Sequence, residues 1–197
     1  MRIIIDNKKK NTKLPLVMRA AIHLFATKGI DGTTVKDIAR QAGVAEGALY
    51  RHFKSKDELA WNIFAVHLNH FTAGLMARVL SEPSPRARVR SFVRESFAAF
   101  EADRELFTYL ILSEHKEFRK YPATYPHPGH VALKIVEDGQ ATGAIRKGDP
   151  LLLVSLFVGA VIRVCVTRMY GDLDVDVRES ADLVGDAVWD MLRTSEI

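Results

Sequence analysis

The residues best suited to chemistry lie between positions 33 and 56, TTVKDIARQAGVAEGALYRHFKSK, and that chemistry is recognition of phosphates and base edges. Thr33, Thr34, Lys36, Tyr50, His52, Lys54 and Lys56 carry hydroxyl, imidazole and ammonium groups of the kind that meet phosphate oxygens, with Arg40 as a flanking cation. Lys56 stands where a helix should begin, and a helix N-terminus itself favours an anion. Between these donors stand Glu46, Gly47 and Ala48. A carboxylate can accept from cytosine N4, and a glycine lets backbone come close to DNA. Plainer readings stand beside these. The two threonines can simply cap a helix, the lysines can be solvated charge, and Gly47 can serve helix packing.

The elements that must position these groups are legible in the same stretch. Val35, Ile38, Ala39 and Ala42 recur at i, i+3, i+4 and i+7, the apolar face of a helix. Thr34 with Asp37 three residues on is a capping-box start, and Gly43 is a helix stop. Leu49 and Phe53 turn back from the next helix, and Ser55 with Glu58 starts a further one at Lys56. Two short helices joined by a tight turn are the layout of a helix-turn-helix, whose second helix enters the DNA major groove.

Charge distribution agrees with that reading. Residues 1–56 hold 12 Lys/Arg against 4 Asp/Glu, and the remainder 16 against 20. A basic head on an acidic body suits phosphate binding at one end. The single cysteine, Cys165, excludes an internal disulfide and reads as a small buried hydrophobe, in keeping with a reducing cytosol. The start, MRIIIDNKKK, is too short an apolar run for a signal peptide and reads as a basic arm. The apolar stretch Leu151–Val166, interrupted by Arg163, is shorter than the ~20 residues that span a bilayer and reads as a core or interface helix.

The rest of the chain also reads as helical. A first helix over Lys13–Lys28, with Thr12 as cap, buries Val17, Ala20, Ala21, Leu24 and Phe25. A long fourth helix runs from Lys56 to Leu80, followed by Arg86–Ala102, Arg104 to about Phe118, Val131–Thr142, Pro150–Tyr170 and Asp176–Arg193. The three prolines in 121–129 predict a loop. No period-2 strand pattern and no internal repeat stands out. The fold class expected is all-α, with a DNA-binding domain over 12–58 and a helical effector-binding and dimerisation domain over 59–197.

In the body, Phe71, Phe92, Phe107 and Tyr109 are candidates to line an effector pocket, against the simpler reading of core packing. Arg163 is a charge in the most apolar helix, so it calls for an acidic partner or an anionic effector. His67, His70, His115, His127 and His130 have no metal-ligand spacing, and no catalytic or phosphate-loop motif occurs, so neither cofactor, metal nor enzymatic activity is expected.

From Thr12 to about Trp61 the chain resembles the DNA-binding head of TetR-type transcriptional regulators. The resemblance rests on Ala20-Ala21, Leu24-Phe25, Lys28-Gly29, Thr33-Thr34-Val35, Asp37-Ile38-Ala39, Ala42-Gly43-Val44, Gly47, Leu49-Tyr50, His52-Phe53 and Ser55-Lys56. Ala45 and Ala48 depart from it, because Ser or Thr is usual at the first position and Thr is common at the second. The resemblance implies a nine-helix homodimer in the bacterial cytosol, at the nucleoid, that represses a near-palindromic operator until a small molecule binds the body. It also implies that the last two helices pair across a two-fold axis. The residues fitting that interface are Leu156, Gly159, Ala160, Ala181, Val184, Gly185 and Val188. A regulator without a small-molecule ligand, governed by a protein partner or acting constitutively, is the alternative.

Overall fold

The computed structural model describes residues 13–117, 120 and 125–194. Among the described residues every regular element is a helix: α1 (Leu14–Lys28), α2 (Val35–Ala42), α3 (Glu46–Tyr50), α4 (Lys56–Val79), α5 (Pro85–Ala102), α6 (Arg104–Glu117), α7 (Pro128–Ala141), α8 (Pro150–Met169) and α9 (Ala181–Leu192). One isolated antiparallel bridge, Ile145 with Arg193, is the only β pairing among them. The basic arm, the Thr12 cap and Phe118 lie outside the described residues, as does the side chain of His115.

The chain divides into two compact units. The first covers Met1–Leu68 and Glu105–Ala123. This compact unit extends past residue 58, the end of the expected DNA-binding domain, to Leu68 and takes in most of α6. The reason is apolar supply. Three short helices cannot close a core alone, so Leu59, Ala60, Ile63 and Phe64 of α4 complete it, with Tyr109 and Leu110 of α6. Val17, Ala20, Ala21, Leu24 and Phe25 of α1 are buried in it as their spacing requires. The Tyr109 ring lies 5.6 Å from that of Phe25, and its hydroxyl donates to the Ala60 carbonyl at 2.6 Å. At the edge of the same unit Glu105 accepts from Arg19 at 2.9 Å and pairs with His23 Nδ1 at 2.8 Å.

The second unit covers Asn69–Arg104 and Thr124–Ile197. α9 lies along α5, and α7 packs on both α8 and α5. Phe92 and Phe157 meet at 4.9 Å in its core. An ionic ladder runs beside them: Arg86 and Arg90 reach Asp186, while Arg90 and Arg94 reach Asp182. α7 begins three residues earlier than periodicity suggests, because Pro128 occupies the first turn, where its missing N–H costs nothing. α9 begins five residues later than expected. There Asp176 accepts from the Arg178 backbone N–H at 2.9 Å and binds its guanidinium, holding a turn instead of a helix.

α8, expected over Pro150–Tyr170, has 20 residues and by length and composition alone is apolar enough to cross a membrane. Its inward face, Leu153, Val154, Phe157, Val161 and Cys165, is buried within the second unit. Burial, and the nearby Glu101 carboxylate, push the Cys165 thiol up to about 12, as suits an inert core residue.

Candidate nucleic-acid interface

The helix-turn-helix is built by local chemistry. Thr34 caps α2: the Asp37 N–H donates to its hydroxyl at 3.1 Å, and the Thr34 N–H returns a bond to the Asp37 carboxylate at 3.1 Å. The Thr34 hydroxyl, which donates to the Asp37 carboxylate at 2.6 Å, then the Thr34 N–H and the charge of Arg40 hold the Asp37 carboxyl below the usual carboxylate range. Gly43 closes the helix in the left-handed region at φ 63°, and the Val44 N–H bonds back to the Ala39 carbonyl at 3.0 Å. α3 then starts at Glu46 behind Ala45, which supplies no side-chain cap, at a cost of about 0.5–2 kcal/mol relative to Ser or Thr. Leu49 is the buried residue that seats α3 on the core, and Phe53 follows it inward.

The candidate DNA residues separate into two groups on this frame. Lys36, Glu46, Gly47, Tyr50 and Lys54 are exposed, with Tyr50 at 56%. Ala48 and His52 are half-buried. A Cβ added at Gly47 would meet nothing within 4 Å, so packing does not require a glycine there. Arg51 is exposed between Tyr50 and Lys54 and was missed as a candidate, although its place in the YRHFK run was the signal.

Thr33 and Lys56 are committed to the protein instead. Thr33 is fully buried, and its hydroxyl donates to the Gly29 carbonyl at 2.8 Å, so its side chain does not face DNA. Lys56 is half-buried, and its ammonium donates to the Ile30 and Thr33 carbonyls at 2.6 Å each. Two of its three donors thus hold the loop between α1 and α2. The expected cap of α4 is present, with the Glu58 N–H donating to the Ser55 hydroxyl at 3.1 Å. The Glu58 carboxylate returns to the Lys54 N–H at 2.5 Å, one residue short of the reciprocal partner.

The body candidates fare unevenly. Tyr109 and Phe107 belong to the first unit, and Tyr109 is a core residue of the head. Phe92 is buried on Phe157, and Phe71 is half-buried on α4. Arg163 is exposed, so it is no buried intrachain ion pair. Leu156 and Gly159 share its outward stripe on α8, with Ala160 half-buried beside them. On α9, Val184 is half-buried, but Ala181, Gly185 and Val188 are buried within the chain. A Cβ on Gly185 would come within 3.2 Å of the Arg90 Cα, so this glycine serves the α5–α9 contact and not an outward face.

Residues 17–61 match the model of the family described as bacterial regulatory proteins, tetR family. The chain is 23% identical over 175 residues to the fatty acid metabolism regulator protein of Bacillus subtilis, covering 86% of this chain and 90% of that one. It is 34% identical over 91 residues to the transcriptional repressor KstR2 of Mycobacterium tuberculosis, covering 46% of each chain. The crystal structure of the transcriptional regulator FadR from Bacillus subtilis in complex with stearoyl-CoA shares the fold, with a TM-score of 0.72 at 20% identity over 89% of this chain and 97% of that one. These relatives are regulators and not enzymes. Residues 17–61 thus form a helix-turn-helix head that matches the tetR family, and the body shares the all-helical fold of these regulators.

Proposed function

We propose that this regulator is a homodimeric repressor in the bacterial cytosol that binds a two-fold symmetric operator and leaves it when a small molecule binds the second unit. The observation that carries the DNA half is the exposed face of α3, Glu46 to Tyr50, flanked by the exposed cations Lys36, Arg51 and Lys54. Helix side chains at that face reach base edges, and the cations and the Tyr50 hydroxyl take phosphates. Thr34 and His52 flank the same face.

The dimer half is supported by the outward stripe of α8 and α9. Leu152, Leu156 and Leu183 are exposed there, Leu183 at 74%, beside Gly159 and Arg163. An apolar surface of that kind marks a contact, and a two-fold contact repeats it on both subunits. Two heads held by one axis would meet half-sites about one helical turn apart.

For the effector, a molecule with a long apolar portion suits a unit whose interior is set by Phe92, Phe97, Phe100 and Phe157. Stearoyl-CoA, held by the Bacillus subtilis FadR, is the first compound to try. Those four rings are at most 2% exposed, and such tight packing favours the second reading, control by a protein partner.

The test is fluorescence anisotropy on the DNA flanking the coding region. Specific binding that steepens as salt falls and is released by acyl-CoA supports the whole proposal. Specific binding indifferent to acyl-CoAs of every chain length would leave the repressor and remove this effector class. Equal affinity for all duplexes would overturn the repressor itself.

A further inference from the structure

We infer that Glu46 is the residue by which this head selects a base pair, accepting a hydrogen bond from the N4 amino group of a cytosine in the major groove. The inference rests on the operator binding proposed above and adds its chemical specificity.

The structure reaches Glu46 by elimination. Thr33 is buried, with its hydroxyl on Gly29. The Thr34 hydroxyl donates to Asp37 at 2.6 Å, and the Arg40 guanidinium is held by the same carboxylate at 2.6 Å. Lys56 is turned onto two backbone carbonyls. On α3 itself, Gly47 and Ala48 have no hydrogen-bonding side chain, and Leu49 is buried. That leaves Glu46 and Tyr50. In helix-turn-helix docking it is the N-terminal part of the second helix that meets base edges, and Glu46 is the first residue of α3. Tyr50, its last residue, stands at the opposite end of the helix.

Glu46 is also built to reach. It is exposed, and among the described residues its carboxylate has no hydrogen-bond or ion-pair partner. Gly47 and Ala48 keep the helix slim beside it, with nothing within 4 Å of a Cβ at Gly47. No side chain therefore props α3 away from the groove floor.

The charge makes the contact selective. A carboxylate facing DNA is repelled by phosphates and loses water at every sequence. Only a donor on the base edge repays that, and in the major groove cytosine N4 presents one without an adjacent acceptor. Guanine O6 and N7, both acceptors, would be repelled. Glu46 thus rejects wrong bases as much as it holds the right one.

Binding selection from a randomised duplex pool tests this on the full-length chain, run in parallel for the wild type, Glu46→Ala and Glu46→Gln. The wild type should enrich a two-fold symmetric site with cytosine at one position of each half-site, preferred by roughly fivefold to 150-fold over other bases. Glu46→Ala should lose the preference at that pair of positions alone, and should bind unrelated duplexes more tightly as the repulsion disappears. Glu46→Gln should move the preference to adenine, whose N6 and N7 match an amide. Identical selected sites for all three proteins would overturn the assignment while leaving operator binding intact. A wild type that enriches no site would overturn the proposed operator binding and this inference with it.

Discussion

The ammonium of Lys56, the first residue of α4, donates to the carbonyl oxygen of Thr33, 2.6 Å away and 23 residues earlier in the chain. The same nitrogen reaches the Ile30 carbonyl, so one side chain at the start of the fourth helix fixes the loop that leads into the second. Lys56→Ala should therefore act first on the head's own structure. Losing charge-assisted bonds to backbone should cost roughly 1.5–3 kcal/mol in thermal or urea melts. Specific operator affinity should fall as α2 loosens, with the salt slope unchanged. A slope lowered by about one, with an unaltered melt, would instead make Lys56 a phosphate contact.

Gly159 and Gly185 should behave in opposite ways. A Cβ at Gly159 meets nothing within 4 Å, so Gly159→Leu should leave the fold of the subunit intact and disturb only the partner contact. Sedimentation should then show monomers with a normal helical content. Gly185→Leu drives a side chain against the Arg90 backbone and should destabilise the subunit itself by about 1–3 kcal/mol. Stable dimers of the Gly159→Leu protein would take α8 out of the interface.

Arg163 lies on the outward stripe of α8 and is exposed. Arg163→Met strands no buried carboxylate in its own chain, so melts of the dilute subunit should move by no more than about 0.5 kcal/mol. Arg163→Glu should weaken self-association measured by sedimentation, because it places two like-charged reversals on a two-fold face. A melt shift of several kcal/mol in the methionine variant would show that the side chain has a buried partner.

His127 supplies a pH dependence. Its Nδ1 accepts from the Gly129 N–H at 3.1 Å to cap α7, and its ring centroid lies 3.8 Å from that of His130. Burial, and then the charge of His130, pull its pKa down from 6.5 to about 4. Between those values the unfolded chain binds the proton better than the folded one. The contribution is thus fully present above pH 6.5 and is lost as pH falls toward 4. His127→Asn keeps a capping oxygen and removes the titration. Melting temperatures of the two proteins should agree near pH 7.5 and diverge at pH 5, the wild type being the lower. Parallel pH curves would exclude this histidine as the cause.

Local chemistry wrote most of the head into the sequence. The Thr34–Asp37 box, the Gly43 stop and the Ser55–Glu58 start depend on residues three or four apart, and all three are present where spacing put them. The apolar stripe of α1 and the buried Cys165 were legible for the same reason, since periodicity and composition record burial directly. Contacts between residues far apart in the chain were decided only by the tertiary structure. Lys56 looks like a free cation until folding brings two carbonyls to it, and Thr33 looks like a surface hydroxyl until the Gly29 carbonyl accepts its hydrogen bond. Tyr109 looks like a pocket residue until α6 joins the head, and Gly185 like a dimer contact until α5 closes over it. Sequence spacing reports which face of a helix is apolar. Which neighbour covers that face depends on long-range packing that no local pattern carries.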